Sequence, residues 1–184
     1  MPKRIIEVPS DPTLPPGLCI SNGAEANYLF LSNRSGDVEF TKLTSSNIAS
    51  FQKGTDPKSL PKTFVDATDL TRRLGYQYLS IRHLCILQDN KTDWNEESSK
   101  LISTYGQASL MILADVAKDA NAGISTNRHI YYSSALGNKD RYPRLYHPRP
   151  YHLRLKMDIE YSPLAGDTRA GIERMLAPRI VHLT

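Results

Sequence analysis

Short apolar runs alternate with amphipathic stretches along this chain, and their two periods separate strands from helices. Ile5 to Val8 reads as a short strand, ended by Pro9 to Gly17, where proline removes ladder donors. A loop then leads to Tyr28 to Ser32, YLFLS, a compact apolar strand. Thr44 or Ser45 is placed to cap a short helix with Ile48 and Phe51 on one face and Gly54 as its stop. Phe64, Ala67, Leu70, Thr71 and Leu74 repeat at steps of three and four, with Pro61 in the first turn and Gly75 just past the end, which predicts a second helix. Its other face carries Asp66, Asp69, Arg72 and Arg73, a solvated face in which an Asp69–Arg73 pair contributes ~0.3 kcal/mol.

Tyr78 to Ile81 is the next strand, extended or followed by the apolar patch Leu84 to Leu87. A helix beginning near Asp93 places Trp94, Ser98, Leu101, Ile102 and Tyr105 on one side, with Trp94 as a core anchor. Asp93 as its cap and Glu96 three residues later form a capping-box pattern. Ser109 to Ala114, SLMILA, completes a strand, helix, strand, helix, strand alternation that implies an α/β fold with parallel strands and right-handed crossovers. Beyond Asn121 the periodicity breaks; Leu153 to Tyr161 alternates as one added strand, Arg169 to Leu176 reads as a short helix and Arg179 to Leu183 as a last strand.

Composition narrows the class. With 184 residues, 40% of them hydrophobic, one sizeable core is the expectation. No run approaches the roughly 18 apolar residues of a membrane span, and the proline-rich opening does not read as a secretory signal, so a soluble, cytoplasmic protein is expected, with no membrane partner. Cys19 and Cys85 lie far apart, outside any zinc or redox spacing, and are expected to stay reduced, Cys85 buried. The net charge of +4 is unevenly spread: between Arg128 and Lys156 lie Lys139, Arg141, Arg144, Arg149 and Arg154 against Asp140 alone, interleaved with Tyr131, Tyr132, Tyr142, Tyr146 and Tyr151 and with His129, His147 and His152. Such a mixture can stack on and neutralise single-stranded nucleic acid. No nucleic-acid motif accompanies it, so a surface insertion is the preferred reading and nucleic acid is not an expected partner. Repeats, phosphate loops, nucleophile elbows and metal-ligand clusters are absent from the sequence, and neither metal nor resident cofactor is expected.

One carboxylate stands out. In open α/β sheets ligands bind outside the carboxyl ends of the strands, so an acid opening the next helix can face a bound molecule. Capping and the helix dipole account for Asp93 and Glu96 but leave Glu97 as the candidate catalytic residue.

The stretches YLFLSNRSG (28–36), LPKTFVDATDLTRRLGYQYLSIRHLCILQD (60–89), Asp93, Trp94, Glu97 and Tyr105, followed by SPL, TR and ERMLAPRIVHL (162–183), stand in an order that resembles the heterokaryon incompatibility (HET) domain of filamentous fungi. That family's patterns read L-S-H-C-W-G, then L-P-x-T-F-x-D-A, then Y-L-W-I-D-S-L-C-I-x-Q-D with D-W-x-x-E, and a closing T-R-G-W-x-L-Q-E-R-L-L-x-P-R. The resemblance implies a single domain over 1–184, with a core at about 28–115, a variable basic Tyr-rich insertion at about 124–160 and a closing motif at about 162–184. It implies a TIR-like or flavodoxin-like open parallel sheet flanked by helices. The positions it marks are Ser32, Asn33, Arg34, Ser35, Gly36, Ser80, Arg82, His83, Gln88, Asp89, Asp93 and Trp94, with Arg169, Glu173, Arg174, Pro178 and Arg179 in the closing motif.

The departures fall on signature positions while the apolar framework remains. Asn33, Arg34 and Ser35 stand where His, Cys and Trp are expected, and Ser80, Arg82 and His83 replace Trp, Asp and Ser. A Trp-to-Ser change in a core costs about 3–5 kcal/mol. Either the domain tolerates a remodelled pocket or the chain is a degenerate copy that has lost its original task, and the second is the preferred reading. The resemblance implies nonself recognition and programmed cell-death signalling through self-association or protein partners, or an inactive domain. Its alternative is TIR-like cleavage of NAD as substrate, with Glu97 stabilising the oxocarbenium character that develops as nicotinamide leaves, unless Arg82 pairs with Glu97 and neutralises it.

Overall fold

The computed structural model describes residues 1–115 and 117–124 and the backbone of Ile180–His182. Among the described residues six strands form one sheet in the order β2-β1-β4-β3-β5-β6. They are β1 (Arg4–Glu7), β2 (Gly17–Ile20), β3 (Leu29–Ser32), β4 (Tyr78–Ile81), β5 (Leu110–Leu113) and β6 (Ile180–His182). The neighbours β4, β3, β5 and β6 run parallel. β1 lies antiparallel to β4, and β2 antiparallel to β1.

The expected parallel alternation thus holds for the centre, while the sheet as a whole is mixed. Residues 8–16 between β1 and β2 are too few for a crossover, which needs a dozen or more, so the chain turns back beside itself. β2 falls in the stretch read from sequence as a loop: GLCI is too short to show a period of two, and prolines crowd its approach.

β3 shows why a short run suffices in the middle of such a sheet. All four of its residues are buried. Leu29 and Leu31 pack with Leu79, Ile81, Ile112, Phe51, Phe64 and Ala67 on one face. Phe30 and the preceding Tyr28 pack with Ile5, Met111, Leu113 and Tyr105 on the other. Alternate side chains enter opposite cores, as expected of a parallel strand covered on both faces.

Helices α1 (Ile48–Gln52) and α2 (Lys62–Arg73) cross from β3 to β4. Asn47, rather than Thr44 or Ser45, occupies the cap position of α1, and its side-chain oxygen accepts from the Thr44 N–H at 2.8 Å. α2 follows Pro61 and ends before Gly75, whose φ of +77° suits glycine just past a helix. Phe64, Ala67 and Thr71 face inward as expected, joined by Thr63 and Thr68, whereas Leu74 is 44% exposed. The Asp69 partner is Arg72, at 2.6 Å, because Arg72 also donates to the Pro9 carbonyl and is thereby held on that side.

From β4 the chain makes one helical turn, α3 (Arg82–Cys85), then α4 (Lys91–Ser99) and α5 (Leu101–Gln107). The patch Leu84 to Leu87 is thus half helical turn and half extended segment. Two expectations for α4 are corrected. Its cap is Asn90, whose side chain accepts from the Asp93 N–H at 3.0 Å, so Asp93 is the third helical residue. Its inward face carries Asp93 and Glu97, continued by Thr104 and Tyr105 in α5, while Trp94 is half-buried and Ile102 is 61% exposed. The break at Lys100 resets the helical phase, which a single continuous period could not anticipate.

The last strand expected at Arg179 to Leu183 appears as β6. The Tyr-rich basic segment, the strand expected at Leu153 to Tyr161, the helix at Arg169 to Leu176 and the positions Arg169, Glu173, Arg174, Pro178 and Arg179 lie outside the described residues. Among the described residues no helix is long and apolar enough to cross a membrane.

Candidate functional site

The loops leaving β3, β4 and β5 gather at the carboxyl edge of the parallel strands, where α/β sheets hold ligands. Ser32, Asn33 and Ser80 are buried there, Arg34 and Gly36 are exposed, and Arg82 and His83 are half-buried. Ser35 Oγ lies 3.0 Å from His83 Nε2. The imidazole stacks near Phe64 at 6.4 Å between centroids and meets the edge of Phe40 at 5.4 Å. Gly36, with φ of +65°, packs so closely on Asp119 that a Cβ would lie 2.4 Å from the Asp119 Cβ. The Ala120 N–H donates to the Ser35 carbonyl at 3.1 Å and completes that seam.

Asp115, fully buried two residues past β5, joins this edge and was missed in the sequence reading. The available signal was an acid terminating the apolar run SLMILA, which strand-end placement would have flagged.

Glu97 is 5% exposed and pairs with Lys100, Nζ to Oε1 at 3.3 Å. It lines a cavity with Pro2, Phe30, Ser80, Arg82, Leu101 and Thr104. Glu97, Ser80 and Arg82 are thus brought together. The space they enclose is about 10 Å³, no more than one water requires. Cys85 also reaches this cavity, and burial pushes its thiol up to about 11, so it stays protonated at neutral pH. Beside it, Tyr28 donates its hydroxyl to the Thr104 carbonyl at 2.6 Å, and burial raises its phenol to about 12.

Asp93, one turn before Glu97, has a structural task. Its carboxylate accepts from Arg4 Nη2, from the Leu87 N–H at 3.1 Å and from Lys3 Nζ at 3.1 Å. Arg4, itself 4% exposed, also donates Nε to the Cys85 carbonyl at 2.8 Å. Burial alone pushes the Asp93 carboxyl up, but hydrogen bonds from Arg4, Leu87 and Lys3 outweigh it and hold the group below the ordinary aspartate value. This clamp ties β1, α3 and α4 together.

The remaining marked positions serve the scaffold. Asp89 accepts from the Ser45 N–H at 2.9 Å and from its hydroxyl, pinning the loop before α1. Gln88 Nε2 donates to the Ile86 carbonyl, and Asn33 Nδ2 to the Arg34 carbonyl. Trp94 lines neither this cavity nor the larger one described next.

That larger cavity, about 560 Å³, opens at the amino ends of the parallel strands between Val8, Asn27, Arg72, Tyr76 and Tyr78. Its guanidinium is engaged with Pro9 and Asp69, and among the described residues no carboxylate, thiol or imidazole lines it. Chemistry therefore favours the small cavity over the large one. Among the described residues no group of three or more His, Cys, Asp or Glu could hold a metal ion.

A family model described as Heterokaryon incompatibility protein (HET) matches residues 28–165. Comparisons with curated proteins and with solved structures return no match.

Proposed function

Because this chain belongs to the heterokaryon incompatibility family, we propose that it serves nonself recognition and cell-death signalling in the cytoplasm, through assembly with protein partners or with itself. In this reading it is a degenerate, TIR-like member without NAD turnover of its own. The observation that carries the reading is the cavity at Glu97. At about 10 Å³ it is more than tenfold smaller than the roughly 300–1,000 Å³ that small-molecule sites occupy. Ser80 lines that space where the resembling motif has Trp, and the space left beside the smaller residue holds no ligand-sized molecule. The Lys100 ammonium also offsets the carboxylate charge that glycosidic cleavage would draw on. Expression in a fungal host, scored for viability and for self-association, tests the reading. Death or assembly without nicotinamide release from NAD by the purified protein supports it; NAD turnover lost in Glu97→Gln overturns it.

A second reading, NAD glycohydrolysis with NAD as substrate, draws support from Glu97 and Arg82 facing one cavity beside the carboxyl end of β4. It requires α4 and α5 to part at Lys100, so its signature is turnover that appears only in assembled protein.

A further inference from the structure

Two of the signature positions at which this chain departs from the resembling motif are in contact. Ser35, in the loop after β3, stands where the resembling motif has Trp, and His83, in α3 after β4, stands where it has Ser. Their side chains meet at 3.0 Å, Oγ to Nε2, within the reach a hydroxyl nucleophile and its base require.

We propose that Ser35 and His83 form a nucleophile–base pair that takes carboxylic esters, an acyl-transfer site separate from the Glu97 cavity and independent of the function proposed above.

Four features of the surroundings favour reaction over a merely structural hydrogen bond. Both residues are half-buried, so the pair is held by the protein yet reachable from solvent. The imidazole is confined by Phe64 at 21° to its plane and by the edge of Phe40, and the His83 carbonyl accepts from the Leu43 N–H at 2.9 Å. Ring and backbone are therefore both positioned before substrate arrives, which is where orientation contributes to rate. Ser35 is fixed in turn by the Ala120 N–H on its carbonyl and by Gly36, whose left-handed φ and contact with Asp119 admit no larger residue. The pair also sits at the carboxyl ends of adjacent parallel strands, the edge at which such sheets bind ligands.

The chemistry balances without an external reagent. Ser35 Oγ attacks the ester carbonyl carbon as its proton passes to His83 Nε2. The tetrahedral adduct collapses, its C–O bond to the alcohol breaks, and the leaving alkoxide takes the proton from His83. Water then attacks the acyl-serine, giving its proton to His83, and the departing Ser35 oxygen recovers it, releasing the carboxylic acid.

Incubation of the full chain with a fluorophosphonate, followed by peptide mapping, reads the first step directly. One adduct per chain on Ser35 is expected, absent in Ser35→Ala and slowed at least ~100-fold in His83→Gln, the range a general base supplies. Because His83→Gln can disturb the Phe40–Phe64 packing, Ser35→Cys provides a second readout. The thiol introduced by that substitution should react with iodoacetamide at neutral pH at least ~10-fold faster than Cys19 in the same molecule, since a neighbouring imidazole favours the thiolate. An unlabelled Ser35, labelling equal in folded His83→Gln, or an introduced thiol no faster than Cys19 would each overturn the proposal. NAD turnover and fungal viability are unaffected by either result.

Discussion

Removing the Asp93 carboxylate should cost this domain more than any other single polar substitution among its described residues. Asp93→Ala leaves Arg4 4% exposed with its main counter-charge gone, and strips the Leu87 N–H of its acceptor. Breaking one side of a buried ion pair costs about 3–5 kcal/mol, and an unsatisfied buried donor about 1–3 kcal/mol more. Part of this is relieved because Arg4 Nε keeps the Cys85 carbonyl. We therefore expect a loss of about 4 kcal/mol at neutral pH, a large share of the total for a domain this size. Asp93→Asn, which keeps an acceptor for Leu87, should lose about half of that. Equilibrium urea unfolding with an unchanged m-value is the assay. The pH dependence has a definite sign: a carboxyl held below its unfolded value of about 3.9 contributes stability above that pH and loses it as pH falls through the folded value. The gap between wild type and Asp93→Asn should accordingly narrow below about pH 3.9. An Asp93→Ala protein within about 1 kcal/mol of wild type at pH 7, or a gap that widens in acid, would refute the clamp.

Further outcomes follow from the same geometry. Tyr28 and Cys85, raised by burial to about 12 and about 11, contribute stability below their unfolded values that is lost as pH climbs through the folded ones. Urea midpoints should hold to about pH 9 and fall beyond it, less steeply in Tyr28→Phe. Gly36→Ala must place a methyl against Asp119 at a left-handed φ and should cost about 2 kcal/mol, whereas Gly75→Ala meets nothing within 4 Å and should cost only the backbone strain of about 1 kcal/mol. Thermal melts separate the two. Ser80→Trp, which restores the residue expected from the motif, finds about 10 Å³ of space and should destabilise by about 3 kcal/mol or prevent folding, read by circular dichroism; stabilisation would show that the pocket opens readily.

Much of the parallel centre was legible in the chain. YLFLS, YLSI and SLMILA are apolar runs bounded by polar turns, and fully buried strands advertise themselves in that way. The helix over residues 62–73 announced both ends, since Pro61 and Gly75 act through local backbone geometry. Glu97 stood out in the chain because capping left it unexplained, and in the fold it is buried. What escaped was non-local. β2 exists because β1 offers it an edge, not because GLCI is strand-like by itself. The inward face of α4 carries two carboxylates rather than Trp94, because Arg4, 89 residues away in the chain, draws Asp93 inward. No periodicity can report a partner on another element.

The order of amino acids alone thus determined the central strands β3, β4 and β5, the helix over residues 62–73 and membership of the HET family. Tertiary structure decided the antiparallel edge, the burial of Asp93 by Arg4, the contact between Ser35 and His83 and the near closure of the Glu97 cavity. Each of these depends on distances between segments remote in the chain, and such distances are set by packing the whole core at once rather than by any window of residues.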